Sequence, residues 1–254
     1  MEWFTSYLEG RSQCVDINGH LSKEISIDIS VLQGSILGPL LFLCFINDLP
    51  TITNLLTLLF ADDTAGLKSG FNLDELITEV NIELNKLAIW FRANKMAVNV
   101  SKTKYIIFKP KGMKINIEPN KGIVYDENEM GMLRNESKII PLVRIYNDNP
   151  DPCNRTYKLL GLYLDEHLSF DYHCDHVRTK IAQSNFIISR AKHFLPKKTL
   201  KTLYYALVHP HLLYCLPIYS CTSAKNLTKL ELIQKKTIRT ITNSTPGEVK
   251  IDPS

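Results

Sequence analysis

The sequence predicts an α+β fold, with short strands and helices mixed over roughly the first 165 residues and helices alone after that point. Residues 24–29 alternate strictly between polar and apolar side chains, which is typical of a half-buried strand. Apolar residues recur at helical spacing after residue 73 and again after residue 177. With 254 residues, 44% of them hydrophobic and 22% charged, the chain is long enough for one large domain or two modest ones.

The first 50 residues predict a short helix, a hairpin and a second helix. The first helix ends near Gly10, and the segment from residue 14 leads to Asn18-Gly19, a dipeptide typical of hairpin turns. Residues 24–29 form the returning strand. Residues 36–49 are apolar almost all round, so we expect a buried helix with Pro39 tolerated in its first turn.

Residues 55–67 consist of two apolar runs that meet at Asp62 and Asp63, which predicts a tight β-hairpin with the aspartates at or beside its turn. We expect the strand at residues 104–108 to lie next to this hairpin. Between them, one apolar face predicts an amphipathic helix. That face comprises Leu73, Ile77, Val80, Leu84, Leu87 and Phe91.

Residues 109–155 are rich in Pro, Asn, Gly, Asp and Glu and predict an irregular insertion with weak strand-like runs, such as residues 138–146. A strand returns at residues 157–164. A long helix follows, with an apolar stripe from Val177 to Leu195 and an end at Pro196. Two more helices are predicted at residues 198–216 and 223–242, and the polar tail at residues 243–254 is expected to be disordered.

Several functional classes receive no support from the sequence. The longest nearly apolar run, residues 36–46, is too short to span a bilayer, and the first residues lack the order of a signal peptide, so we expect an intracellular protein. The six cysteines form no CxxC pair, and a disulfide framework is not expected. One His/Cys group does not match the spacing of structural zinc sites. It comprises His167, His173, Cys174 and His176.

The net charge of +4 is unevenly distributed. Residues 1–165 carry 17 Lys+Arg against 20 Asp+Glu, a balance of −3, whereas residues 166–254 carry 13 against 6, a balance of +7. A basic C-terminal third suits a polyanionic partner. The charge alone is equally compatible with a solvated basic face.

Asp62 and Asp63 are the strongest candidates for chemistry. Two carboxylates on a hairpin between apolar strands would be half shielded from water, which costs free energy unless a cation compensates their charge. Phosphoryl transfer with two magnesium ions uses such carboxylates to clamp the metals. The alternative is that the pair is simply favourable in a turn.

Four segments in order carry a family resemblance. They are residues 32–42 with 46–50, residues 60–63, residues 84–90 with Asn99 and residues 102–104, and residues 157–165. Their order and spacing resemble the reverse transcriptases of non-LTR (LINE-type, jockey-like) retrotransposons. The resemblance implies an RNA-directed DNA polymerase that uses two Mg²⁺ ions, an RNA template, a DNA primer and deoxynucleoside triphosphates, with no membrane partner.

The resemblance also implies roles for individual residues. Asp62 would bind catalytic Mg²⁺, with Asp63 beside it, and Lys102 would steady or protonate the pyrophosphate leaving group. Leu160 and Gly161 would form the primer grip at the primer's end. The nucleotide pocket would comprise Gln33, Gly34, Ser35, Phe60 and Ala61. The plainer alternatives are a helix-start turn at Gly34, an exposed lysine at 102 and a tight strand turn at Leu160.

In this interpretation residues 1–165 are an incomplete right-hand polymerase palm with an irregular insertion at 109–155, and residues 166–242 are a helical thumb. Residues 173–201 carry seven Lys+Arg against one Asp, so the thumb would bind nucleic acid through phosphates, independently of base sequence. The expected contacts are Arg178, Lys180, Arg190, Lys192, Lys197 and Lys198.

Two departures from the family pattern qualify this interpretation. Ser30 and Leu32 stand where the family usually has glycine and proline, which loosens the turn before Gln33. The aspartate strand of the first palm motif has no counterpart, so we expect an N-terminally truncated domain with little activity alone. The alternative function is a catalytically inactive remnant that at most binds nucleic acid.

Overall fold

The computed structural model describes residues 2–27, 31, 34–117, 122–127 and 138–244. The chain forms two compact units. The first consists of Met1–Val98 and Asn120–Pro141, and the second of Asn99–Pro119 and Leu142–Ser254. These two units are defined only by their compactness. The assignment of a palm and a thumb therefore stays a prediction.

The secondary structure is mixed. The helices are α1 Glu2–Leu8, α2 Leu37–Ile46, α3 Leu49–Ile52, α4 Leu73–Ala93, α5 Asp171–Ala191, α6 Lys197–Leu207, α7 His209–Leu213, α8 Leu216–Tyr219 and α9 Ala224–Thr242. The strands are β1 Arg11–Gln13, β2 Asp16–Ile17, β3 His20–Leu21, β4 Ile25–Ile27, β5 Leu56–Phe60, β6 Asp63–Leu67, β7 Lys104–Ile106, β8 Val124–Glu127, β9 Lys138–Pro141, β10 Val143–Ile145, β11 Tyr157–Leu159 and β12 Leu162–Leu164. A 3₁₀ helix covers Pro152–Asn154. This content confirms the predicted α+β class.

An antiparallel ribbon opens the first unit. β2 pairs with β3 across Asn18 and Gly19, and β1 pairs with β4 farther from the turn. Asn18 and Gly19 have φ values of 54° and 83°, the left-handed backbone that two-residue hairpin turns require and that this dipeptide adopts readily. The predicted turn is confirmed.

The prediction of a buried helix at residues 36–49 is wrong. The helix α2 ends at Ile46, a separate short helix α3 begins at Leu49, and within α2 only Gly38 and Ile46 are buried. Leu40 and Phe45 remain 56% and 46% exposed. Apolar helices tend to be buried, but α2 packs on the core of the first unit along one side only.

The core of the first unit lies where α4 packs against α3 and β5. Its buried members are Ile46, Leu49, Leu55, Leu87 and Trp90, flanked by Phe42, Leu59, Val80, Leu84, Phe91 and Met96. Asn72 caps α4, with its side-chain oxygen accepting a hydrogen bond from the Asp74 backbone N–H at 3.0 Å. The predicted apolar face of α4 is confirmed.

Two small sheets belong to the second unit. β7 pairs in parallel with β10, and β11 pairs with β12 in an antiparallel hairpin. We expected β7 beside the Asp62 hairpin, whereas its hydrogen-bonded partner among the described residues is β10. Within the predicted irregular insertion, β8 pairs with β9, so its described portion is more regular than expected.

Helices pack around a second core. Its buried members are Leu162, Phe170, Cys174, Val177, Ile181, Ile188, Leu200, Tyr204, Val208, Tyr219 and Leu230. The helix predicted to end at Pro196 ends earlier, because α5 spans Asp171–Ala191, and Pro196 immediately precedes α6. The single helix predicted at residues 198–216 is wrong, because α6 ends at Leu207 and the chain continues in two short helices with Pro210 and Pro217 in their first turns. Cys215, between these two helices, has a φ of 58°.

In the part of the chain that the structure describes, no helix has both the length and the apolar character needed to cross a membrane. The disordered tail predicted at residues 243–254 lies outside the described residues beyond Ser244.

Candidate functional site

The hairpin β5–β6 places the two aspartates at its turn. Phe60 and Asp63 are the last paired residues of the two strands, so Ala61 and Asp62 form a two-residue loop. Asp62 therefore lies at the tip, and Asp63 is the first residue of β6. This confirms the predicted position of the pair, although not its chemical role.

The backbone at the tip is strained. Ala61 has a φ of 51°, in the left-handed region that favours glycine. A side chain in that region costs roughly 1–2 kcal/mol. Such backbone strain is concentrated at functional sites, where surrounding structure holds an unfavourable conformation. Ala61 thus fixes the course of the chain immediately before Asp62.

The two faces of this hairpin differ. Leu55, buried at the start of β5, and the half-buried Leu59 face the core of the first unit. Leu56, Leu58 and Phe60 alternate with them and are 54–66% exposed. Because Asp63 is paired with Phe60, the carboxylate shares this exposed apolar face.

Gly66 allows the hairpin to approach the core closely. A Cβ atom at Gly66 would come within 2.9 Å of Leu55 Cδ1. Since Gly66 lies opposite Thr57 in the register, the glycine leaves room on the inner face for the buried Leu55 side chain. The packing of Leu55 in turn fixes the position of β5 and of the loop that follows it.

Both aspartates are exposed, so the expectation that they are half shielded from water is wrong. Their carboxylate oxygens are the hard donors that Mg²⁺ prefers, and one or two protein carboxylates beside substrate phosphates and waters are usual for this ion. The donor set therefore fits a magnesium ion. Among the described residues no group of three or more His, Cys, Asp or Glu side chains is placed to hold a metal.

The residues predicted for the nucleotide pocket are only partly described. Gln33 lies outside the described residues. Gly34 has a φ of 80°, and a Cβ there would meet no atom within 4 Å, so its glycine is needed for backbone conformation rather than for space. Ser35 Oγ accepts hydrogen bonds from the Tyr7 hydroxyl at 2.7 Å and from the Gly38 N–H at 3.0 Å, which fixes the turn that leads into α2.

Lys102 is an exposed residue of the turn that follows α4. Its backbone N–H donates to the Asn99 carbonyl at 3.1 Å, and Thr103 N–H donates to the same oxygen at 3.1 Å. Because its carbonyl accepts both bonds, Asn99 has a structural role in closing this turn. The Lys102 side chain belongs to the second unit, whereas Asp62 belongs to the first.

The predicted primer grip is the tight turn between β11 and β12. Leu160 and Gly161 have φ values of 46° and 90°. The Tyr214 hydroxyl donates a hydrogen bond to the Leu160 carbonyl. A Cβ at Gly161 would lie 3.1 Å from Tyr214 Cε1, so the aromatic ring packs directly on the glycine.

The predicted nucleic-acid contacts lie mainly on the outer face of α5 and at the start of α6. Arg178, Lys180, Arg190, Lys197 and Lys198 are exposed, and Lys192 is half-buried. The buried Val177, Ile181 and Ile188 lie on the opposite side of α5, as predicted. Two lysines in the first turn of α6 oppose the helix dipole, which favours an anion at that end.

Two groups of residues were missed in the sequence. Glu83 is a buried carboxylate on α4, and an amphipathic pattern gives no signal for it because glutamate is ordinary on a polar helix face. The second group lines a cleft of the second unit and includes His173, His176 and Lys180. Each of the three was named in the sequence, the histidines as a poor match to a zinc site and Lys180 as a nucleic-acid contact, but the cleft that they share was not predicted. Their spacing of three and four residues, which places all of them on one helix face, was a usable signal.

Comparisons with known proteins agree with the family resemblance. The chain is 27% identical over 252 residues to the RNA-directed DNA polymerase from mobile element jockey of Drosophila melanogaster, covering 94% of this chain and 24% of that protein. The corresponding jockey protein of Drosophila funebris is 26% identical over 94% of the chain, again covering 24% of the relative. The chain is homologous to these mobile-element polymerases.

A third relative is the probable RNA-directed DNA polymerase from transposon X-element of Drosophila melanogaster, 26% identical over 93% of the chain and 24% of its own length. The chain thus spans about a quarter of the length of the curated non-LTR polymerases it matches. No protein-family model matches the chain, and no solved structure matches it.

Proposed function

We propose that the chain is a reverse transcriptase domain fragment that carries the Asp62–Asp63 hairpin of an RNA-directed DNA polymerase. The observation that carries this proposal is the position of Asp62 at the tip of a strained two-residue turn, in a chain homologous to such polymerases along almost its whole length. The whole enzyme would join deoxynucleotides to a DNA primer on an RNA template.

Asp62 and Asp63 would hold Mg²⁺. When bound, this metal polarises the attacking and leaving oxygens of the phosphoryl transfer. The backbone at Ala61 fixes the position from which the Asp62 side chain projects, so the turn itself needs no ordering when a ligand binds. Phe60 and Ala61, with Gln33, Gly34 and Ser35, would line the nucleotide pocket, and Lys102 would steady or protonate the pyrophosphate that leaves.

The second unit would hold the template–primer duplex. Leu160 and Gly161 would face the primer's end, in a turn that Tyr214 fixes. The basic residues of α5 and α6 would contact phosphates without reading the base sequence. This contribution needs neither the aspartates nor a metal.

Primer extension on an RNA template with Mg²⁺ tests the proposal. We expect little or no extension by this chain alone, measurable extension by a chain extended upstream, and loss of that extension in its Asp62→Asn variant, because an amide cannot supply the carboxylate charge. Asp74→Asn is a matched control, since Asp74 is an exposed aspartate of the same unit. Undiminished extension by the Asp62→Asn variant would refute the proposed catalytic role.

The second candidate function is a non-catalytic nucleic-acid binder. The net side-chain charge of +6 over residues 173–201 favours it independently of Asp62. The two functions are separated by the same assay, because the binder would retain duplex affinity while the upstream-extended chain shows no extension.

A further inference from the structure

A cleft of about 210 Å³ lies in the second unit between the β11–β12 hairpin, α5 and α7. Its chemistry comes from six side chains: Lys158, His173, His176, Lys180, His211 and Tyr214. We call it the histidine cleft. Two ammonium groups and three imidazoles give it a concentration of nitrogen donors, of which the proposed function uses only Lys180, as a contact to nucleic acid.

The ionisable groups of the histidine cleft affect one another's pKa. The pKa of His176 is lowered by burial first and then by Lys180, Lys158 and His211, and the pKa of His173 is lowered by burial and by His176. The lysines and His211 therefore lie close enough to His176 to disfavour its protonation. Gathering positive groups in one concavity costs free energy that a bound anion would offset.

His173 supplies a second observation. Its side chain is 98% buried, and its Nε2 atom is buried without a hydrogen-bond partner among the described residues. A buried polar atom without a partner costs about 1–3 kcal/mol, so such atoms in folded proteins need an explanation. His173 lines the cleft, and a ligand oxygen that reached this buried atom from the cleft would provide a partner.

Contacts with neighbouring residues fix the elements that line the histidine cleft. The Tyr163 and His176 rings lie with centroids 4.9 Å apart, and the Lys158 ammonium is 5.8 Å from the centre of the Tyr163 ring. On the other wall, the Tyr214 hydroxyl is bonded to the Leu160 carbonyl. Both lysines are thus presented on fixed elements, which lowers the entropic cost of binding.

We propose that the histidine cleft binds a phosphate group. Lys158 and Lys180 neutralise its charge, and the ring N–H groups of His176 and His211 donate hydrogen bonds to its oxygens. Phosphate suits the cleft better than a carboxylate because its oxygens can accept from donors on several walls at once. The phosphate belongs either to a nucleic-acid backbone or to a small phosphorylated molecule. The site depends on neither Asp62 nor a metal.

Histidine proton NMR of the full chain in phosphate-free buffer tests this proposal. Inorganic phosphate is added in one arm and a short DNA duplex in the other, and the pKa of each histidine is read from its ring signal. A bound anion favours the charged imidazole, so the pKa of His176 rises from its lowered position, and binding tightens as the pH falls below about 6.5. His20 lies in the first unit and is not part of the cleft, so its pKa is the internal reference.

Two variants test the assignment of the lysines. Lys158→Gln and Lys180→Gln each remove one charge from an exposed position, and each is expected to weaken binding about tenfold, the loss that about 1.4 kcal/mol produces. Lys225→Gln, on α9 and outside both the cleft and the proposed nucleic-acid surface, serves as the control and is expected to bind unchanged. Thermal unfolding of each variant verifies that the fold is retained.

The two arms identify the source of the phosphate. A response at His176 to the duplex assigns a backbone phosphate, and a response to inorganic phosphate alone assigns a small phosphorylated ligand. The absence of a selective shift at His176 in both arms, or equal losses from Lys225→Gln and Lys158→Gln, would overturn the proposal. None of these readouts depends on polymerase activity, so the proposed function can fail separately.

Discussion

Glu83 on α4 accepts a hydrogen bond from the Thr53 hydroxyl at 2.9 Å, thirty residues earlier in the chain. The same carboxylate accepts from the Asn54 backbone N–H at 2.7 Å and from Lys86 Nζ at 2.7 Å. Thr53 and Asn54 closely precede β5, the strand that leads to the Asp62 turn. Glu83 therefore anchors that strand to α4. The Lys86 bond, followed by the Asn54 N–H, lowers the pKa of Glu83 from 4.5 to about 2.

Glu83→Gln should destabilise the first unit by about 2 kcal/mol, because the bonds to a charged acceptor are removed or weakened and an amide hydrogen faces Asn54 N–H. A depressed pKa contributes stability that is fully present above pH 4.5 and is lost as the pH falls towards 2. Urea unfolding at a series of pH values should thus show a steeper acid loss of stability in the wild type than in the variant.

Glu79→Gln is the matched control for this measurement. Glu79 lies on the same helix but is half exposed and pairs with Lys68 at 3.1 Å. An exposed ion pair contributes about 0–1 kcal/mol, so its removal should change stability little. Equal effects of the two substitutions would contradict the anchoring role of Glu83.

Ala61→Gly should stabilise the hairpin by about 1 kcal/mol, because glycine adopts a positive φ without the steric penalty that alanine carries. Ala65→Gly, in β6 of the same hairpin, should instead destabilise by about 0.5–1 kcal/mol, because glycine loses more chain entropy in a strand. Chemical denaturation of both variants gives the comparison. If Ala61→Gly destabilises as Ala65→Gly does, the backbone at the turn is not strained.

Gly161→Ala should destabilise the second unit more than Gly112→Ala. Both glycines have φ near 90°, so both substitutions carry the left-handed penalty of about 1–2 kcal/mol. Only at Gly161 does the new Cβ meet a side chain, Tyr214 Cε1 at 3.1 Å, whereas Gly112 has no atom within 4 Å. The difference between the two free energies of unfolding measures the cost of crowding the Tyr214 ring, and a difference of zero would show that the ring moves aside freely.

Replacing Arg178, Lys180, Lys197 and Lys198 together by glutamine should weaken duplex binding and flatten its salt dependence. The slope of log affinity against log salt should fall by roughly 0.9 for each phosphate that the variant no longer neutralises. Fluorescence anisotropy with a labelled duplex at several salt concentrations measures this slope. Lys225 and Lys236, both exposed on α9, provide a double glutamine control outside the proposed surface. An unchanged slope with retained helicity would exclude this face as the binding surface.

Local patterns predicted much of the fold because local interactions determine those elements. Asn18-Gly19 predicts its turn from backbone preference alone, and the apolar spacing of α4 is found in the structure as a buried face. The position of Asp62 at a hairpin tip also followed from two apolar runs that flank a polar pair. The helix at residues 198–216 was predicted too long because Pro210 was not used as a helix boundary.

The remaining features depend on interactions between distant residues, which a single sequence does not reveal. The exposed side of α2 could not be distinguished from a buried one by composition. The parallel pairing of β7 with β10 joins Lys104 to Val143, segments far apart in the chain. Likewise, Lys158, His176 and His211 come together only when the hairpin and two helices have packed.

Because Cys174 is buried in the core of the second unit, the reaction of its thiol reports the transient local opening of that unit. Its side chain is fully buried, whereas Cys221 is exposed in the same unit. A thiol reagent modifies Cys221 directly but reaches Cys174 only in molecules whose helices have transiently opened. When closing is faster than reaction, the ratio of the two labelling rates approximates the opening equilibrium constant. The second unit can thus be assigned its own local stability, measured in native buffer and without unfolding the rest of the chain.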